Sequence, residues 1–179
     1  MIASIDTCFL IDWSRYRARK LMEKVFDYVF VTEEVLDETR TERTIEYVSN
    51  LLAKGFLVIY PFKSELLSFV RRILEISTSD PRIPVLDPPE AYAFAIAWRE
   101  KCICLTENKG ILRLVEYYEE FREIKVWRSL ELIEYLYERG LIKDLEEGLK
   151  EYSEDTGHVF PKKRPSQKNG AQGGAYPGG

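Results

Sequence analysis

Histidine is almost missing from this chain: 179 residues contain one, His158. That speaks against a Ser-His-Asp triad and against a zinc site built on several imidazoles. Cysteine is also sparse. Cys8, Cys102 and Cys104 are an odd number without bridge-rich spacing, which argues against a disulfide framework and for a reducing cytoplasm. Cys102 and Cys104 alternate in a stretch that reads as a strand, so they are expected as core thiols rather than a metal clip. No apolar run reaches membrane-spanning length, and the N-terminus lacks a basic region ahead of an apolar one. Neither a membrane partner nor a secretory signal is therefore expected. Asn and Gln are scarce, whereas Glu, Lys and Arg abound and charged residues make up 31%. The net charge of −4 does not advertise a polyanion partner, which would need a local basic surface.

What is present is an α/β rhythm. Strands are expected at 2–6, 28–31, 56–60, 102–105 and 124–127, each short, apolar and followed by a helical pattern. A basic helical stretch is expected over Ser14–Phe26, with Leu21, Met22 and Val25 inward. Thr32 reads as an N-cap ahead of Glu33 and Glu34, and Ile45, Val48, Leu51 and Leu52 give Glu42–Lys54 an inward face. Asp87-Pro88-Pro89-Glu90 is a strong helix start, with Asp at N-cap, Pro at N1 and Glu at N3. Parallel strands joined by helices predict a central, mainly parallel five-stranded sheet in a three-layer α/β/α fold. One domain is expected over 1–155. A disordered tail is expected over 156–179, because half of the ten glycines lie beyond residue 160. Lys162, Lys163, Arg164 and Lys168 make that tail basic, leaving −8 on the body.

The opening stretch, MIASIDTCFLID, puts Asp6 where a first strand ends and a helix begins. In an open α/β sheet ligands collect at that edge. Other acids are expected near it: Glu38 on the helix after the second strand, Glu90 at a helix start, and Glu107 and Asn108 in the turn after the 102–105 strand. Each has a plain structural explanation as a cap, a turn residue or a solvated side chain. Together, without His or Cys, they form a hard-oxygen set suited to Mg²⁺ or Mn²⁺ and to metal-assisted phosphate-ester hydrolysis. A phosphatase with an Asp nucleophile would want Asp-x-Asp here, but Cys8 stands at the second position.

At these residues the chain resembles the PIN-domain ribonuclease family, including the VapC-like toxins of toxin–antitoxin pairs. IDTCFLID is similar to the family's strand-end Asp-Thr block. VFVTEEVLDET is similar to its second block, with the acid six positions after the Thr, which selects Glu38. EAYAFAIAWREKCICLTEN is similar to its third and fourth blocks, selecting Glu90 and, eighteen residues on, Asn108. The RGLI segment is also similar to PIN proteins, with lower specificity. The resemblance covers about residues 1–150. It implies a PIN-like fold, a Mg²⁺- or Mn²⁺-dependent endoribonuclease acting on single-stranded RNA, and metal ligation by Asp6, Glu38, Glu90 and Asn108 or Glu107. It implies that Thr106 hydrogen-bonds a ligating carboxylate or water. As partners it implies RNA, an antitoxin protein and a second copy of the chain. Two departures stand out: the third acid is Glu90 where Asp is usual, and Asn108 stands where Asp is frequent. A neutral fourth ligand weakens a second metal, which keeps open an alternative, a catalytically silent RNA-binding or protein-interaction module on the same fold. Arg40, Arg43 and Lys109, close in sequence to the acids, are candidate phosphate contacts.

Overall fold

The computed structural model describes residues 1–61 and 63–160. Five strands form one sheet: β1 (Ile2–Ile5), β2 (Tyr28–Val31), β3 (Leu57–Ile59), β4 (Ile103–Leu105) and β5 (Val126–Trp127). All neighbours pair in parallel, in the order β3-β2-β1-β4-β5. Helices flank the sheet in a three-layer α/β/α arrangement: α1 (Thr7–Arg15), α2 (Glu33–Asp37), α3 (Glu42–Ala53), α4 (Ser64–Ser79), α5 (Pro88–Glu100), α6 (Lys109–Tyr117), α7 (Ser129–Glu138) and α8 (Leu145–Thr156). Parallel strands need covered faces because each crossover lays a helix on the sheet. Two apolar clusters accordingly form. One sits under α1, α3, α7 and α8, with Phe9, Trp13 and Leu136 fully buried. The other sits under α4, α5 and α6, with Phe94, Ile111 and Phe121 fully buried. Cys104 is completely buried, Cys102 nearly so, and all three cysteines are free.

The chain runs from β1 outward to β2 and β3, then returns across β1 to place β4 and β5 on the other side. The reversal of direction lies between β1 and β4, and such a switch point opens a crevice at the carboxyl ends of the strands.

Two local expectations are corrected. Ser14–Phe26 is not one helix: α1 stops at Arg15, Tyr16 turns to extended backbone, and a 3-10 turn covers Arg19–Lys24. Tyr16 is fully buried edge-on between Trp13 and Tyr152, and that long-range packing takes precedence over helical continuity. Ile45 is 46% exposed, while Thr44 occupies the inward position and its hydroxyl bonds Ser14 and Thr41. Of the expected tail, α8 ends at Thr156, and His158 and Phe160 pack their rings on Tyr152. The rest of the expected tail, residues 161–179, lies outside the described residues. Among the described residues no helix is long and apolar enough to cross a membrane.

Candidate metal centre

Asp6 follows β1 and caps α1: its Oδ1 accepts the Phe9 N–H at 2.8 Å. Its other oxygen accepts a short hydrogen bond from the Thr106 hydroxyl, at the end of β4. That bond spans the switch point. Thr106 Oγ1 also accepts the Asn108 N–H at 2.9 Å, which fixes the turn leading into α6. Asn108 in turn donates from Nδ2 to Glu90 Oε1 at 2.6 Å. A continuous hydrogen-bonded path thus links Asp6, Thr106, Asn108 and Glu90, drawn from β1, β4, α6 and α5.

Glu90 is held on both oxygens. Oε2 accepts the Asp87 N–H at 2.8 Å, the capping-box contact, while Oε1 takes the Asn108 amide. Asn108 is likewise committed. Its Oδ1 caps α6 by accepting Gly110 N–H at 2.6 Å and Ile111 N–H at 3.3 Å, and its amide serves Glu90. Both lone-pair directions of that oxygen are therefore engaged. In this arrangement Asn108 aims Glu90 rather than offering an oxygen of its own. Glu107 is also occupied. Oε1 accepts the Ser129 N–H at 2.6 Å, capping α7, and Oε2 lies 3.8 Å from His158 Nε2. Glu38 is the C-cap of α2, exposed, and acts electrostatically on both Glu90 and Cys8.

The electrostatics at Asp6, Glu38 and Glu90 are those of acids with no ion-paired cation among the described residues, whereas Glu107 has His158 nearby and Asp12 pairs with Arg15. Asp6 is wholly buried, and burial pushes its pKa up to about 7. The Thr106 and Phe9 hydrogen bonds pull it down, whereas the negative charges of Glu90 and Glu107 push it further up. Burial raises Glu90 as well, against the Asp87 and Asn108 hydrogen bonds, with Asp87 and Glu38 adding to the rise. Cys8 is driven to about 11, by burial first and then by Asp6, Glu90, Asp12 and Glu38. Among the described residues no Lys, Arg or His forms an ion pair with Asp6, Glu38 or Glu90. A buried carboxylate is ordinarily paired or bound to a metal. The donor set of oxygens alone fits a hard divalent cation. Among the described residues, however, no three His, Cys, Asp or Glu side chains are grouped as a ready-made metal cage. The oxygens of Asp6 and Glu90 are meanwhile satisfied by Thr106, Phe9, Asn108 and Asp87.

Arg40 and Lys109 are exposed, and Arg43 donates to the Arg15 carbonyl at 2.8 Å. Sequence reasoning missed three neighbours of the cluster: Cys8, Asp12 and His158. The first two were legible, since they stand four apart and share one face of α1. His158 had no signal, because only the folding back of the chain after α8 brings it to Glu107. A concavity of about 1140 Å³ opens at the opposite edge of the sheet beside Met1, Asp27, Cys102 and Lys125, away from these acids.

The chain matches no protein-family model and no curated protein.

Proposed function

We propose that this chain is a PIN-like endoribonuclease that hydrolyses phosphodiester bonds of single-stranded RNA with Mg²⁺ or Mn²⁺. The observation that carries the reading is the Asp6–Thr106–Asn108–Glu90 path across the switch point, with a buried carboxylate at one end and no cation to balance it. Asp6, Glu90 and Glu38 would hold the ion, and Glu107 borders it. When bound, a divalent cation supplies Lewis-acid polarisation of a phosphoryl oxygen and lowers the pKa of a water. Thr106 holds the Asp6 carboxylate in one orientation, and Asn108 does the same for Glu90. Both acids are thus positioned before any ligand arrives, so little reorganisation remains at the moment of reaction. The reading extends to a cytoplasmic setting, to RNA as substrate, and to an antitoxin protein and a second copy of the chain as partners.

The second reading, a silent RNA-binding or protein-interaction module, is favoured by one feature. The Asn108 oxygen is spent on the α6 cap, so three carboxylates remain where four would hold two ions. Incubating the full-length chain with single-stranded RNA, with Mn²⁺ or with EDTA, separates the two. Cleavage that needs Mn²⁺ and disappears in Asp6→Asn supports the nuclease; RNA binding without cleavage at any Mn²⁺ concentration supports the module.

A further inference from the structure

On the flank of α5 away from Asn108 lies a cavity of about 130 Å³, lined among others by Thr32, Glu34, Ile59, Tyr60, Leu66 and Tyr92. It sits at the carboxyl ends of β2 and β3, on the same edge as the acid cluster, and shares two elements with it. Tyr92 stands two residues after Glu90 on α5, and Glu33 and Glu34 open the helix that Glu38 closes. Two residues apart on a helix, Glu90 and Tyr92 point in different directions, so the cavity and the acids lie on either side of the first turn of α5. A strand crossing that turn reaches both, since a helix with its side chains is about 10–12 Å across.

We infer that this cavity is a subsite for one nucleobase of the RNA, stacked on Tyr92 and read by the carboxylates of Glu33 and Glu34. The inference rests on the ribonuclease reading for the identity of its ligand. Size is the first argument. The volume is far short of the roughly 300–1,000 Å³ that accommodates a drug-sized molecule, and suits a single planar ring. Shape and surface are the second. The walls pair an aromatic side chain with aliphatic ones, and Tyr92 is half-buried with no aromatic ring stacked on it among the described residues. The Tyr60 ring is already engaged by Phe30 edge-on and by the Lys63 ammonium 5.0 Å from its centroid, which leaves Tyr92 as the stacking surface. Charge is the third. The lining sets Glu33 and Glu34 against one cation, Lys63, whose ammonium is already engaged by the Tyr60 hydroxyl and by Glu100, so the net-acidic wall favours the neutral base over the phosphate. Carboxylates accept from an exocyclic amino group, which cytosine, adenine and guanine carry and uracil does not. Glu34 and Tyr92 line the same cavity, which puts that acceptor on the wall that carries the stacking ring.

The test is binding without catalysis. The full-length chain is titrated in EDTA with short single-stranded RNA and, separately, with the 5′-monophosphates of cytidine, guanosine, adenosine and uridine, followed by NMR shifts. Tyr92→Ala weakens RNA binding roughly ten-fold, within the range measured for loss of one base–aromatic stack, while Tyr92→Phe binds as the parent does. Uridine monophosphate shifts the cavity resonances least, and Glu34→Gln narrows the gap between uridine and cytidine. Unchanged binding in a folded Tyr92→Ala, or nucleotide shifts confined to other surfaces, overturns the subsite. The two readings fail separately. RNA binding that depends on Tyr92 without any cleavage sinks the nuclease and keeps the subsite; cleavage indifferent to Tyr92→Ala sinks the subsite and keeps the nuclease.

Discussion

Asp6 carries three burdens at once: it caps α1, receives the Thr106 hydroxyl, and holds a charge that burial disfavours. Asparagine keeps the oxygen that caps the helix and removes the charge. Asp6→Asn should therefore abolish Mn²⁺-dependent RNA cleavage while the metal-free protein melts at the same temperature or slightly higher. A melting temperature several degrees below the parent would show that the charge itself holds the fold. Asn108→Asp runs the other way. The cap survives, but the amide that donates to Glu90 at 2.6 Å becomes a second carboxylate facing the first. Metal-free stability should drop by about 1–3 kcal/mol, the cost of replacing a hydrogen-bond donor to a half-buried carboxylate by a like charge, and Mn²⁺ should restore part of it. Thermal melts with and without Mn²⁺ read both terms, and equal melting of Asn108→Asp and parent in EDTA would contradict the role given to that amide.

At the scale of elements, much of the architecture is legible because local chemistry and long-range packing agree. Asp87-Pro88-Pro89-Glu90 starts α5 as its residues require, and Glu90 reaches back to the Asp87 N–H. The strands read as short apolar runs because helices cover both faces of the sheet. The same logic puts Asp6 at its edge, directly after β1. What was not legible depends on contacts between distant segments. The break after Arg15 comes from Tyr16 meeting Tyr152 of α8. Sequence also gave no means of seeing that Asn108 spends its oxygen on α6 and its amide on Glu90. Close packing at this turn makes a further prediction. A Cβ on Gly110 would come within 2.6 Å of Leu86 Cδ2 and 2.7 Å of the Pro84 carbonyl oxygen. Gly110→Ala should cost about 1–3 kcal/mol through overpacking, and should loosen Asn108 and thus Glu90. Chemical denaturation measures the first effect. A fully stable Gly110→Ala would mean that the 84–86 loop yields easily and does not brace the site.

For the whole molecule, the buried Asp6 couples folding to protons. Its ordinary value is 3.8 and its folded value about 7, so between the two the folded, metal-free protein keeps a proton that the unfolded chain has released. The stabilising contribution is complete below about 3.8 and is lost as pH rises through 7. Glu90 and Asp12, also raised, act in the same direction. In EDTA the melting temperature should therefore rise as pH falls from 8 to 5, each raised carboxyl adding at most ~1.4 kcal/mol of stability for each pH unit traversed between its unfolded and folded values, and Asp6→Asn should flatten that slope. A divalent cation competes with the same proton, so its affinity should fall on acidification below 7. The central claim, that the acids at the switch point form a metal centre, is tested most directly by calorimetric titration of Mn²⁺ into the EDTA-stripped, full-length chain at pH 8. The account predicts saturable binding that disappears in Asp6→Asn and weakens in Glu90→Gln, with the fold of both variants intact. No binding heat in the parent, or the same isotherm in Asp6→Asn, would contradict it.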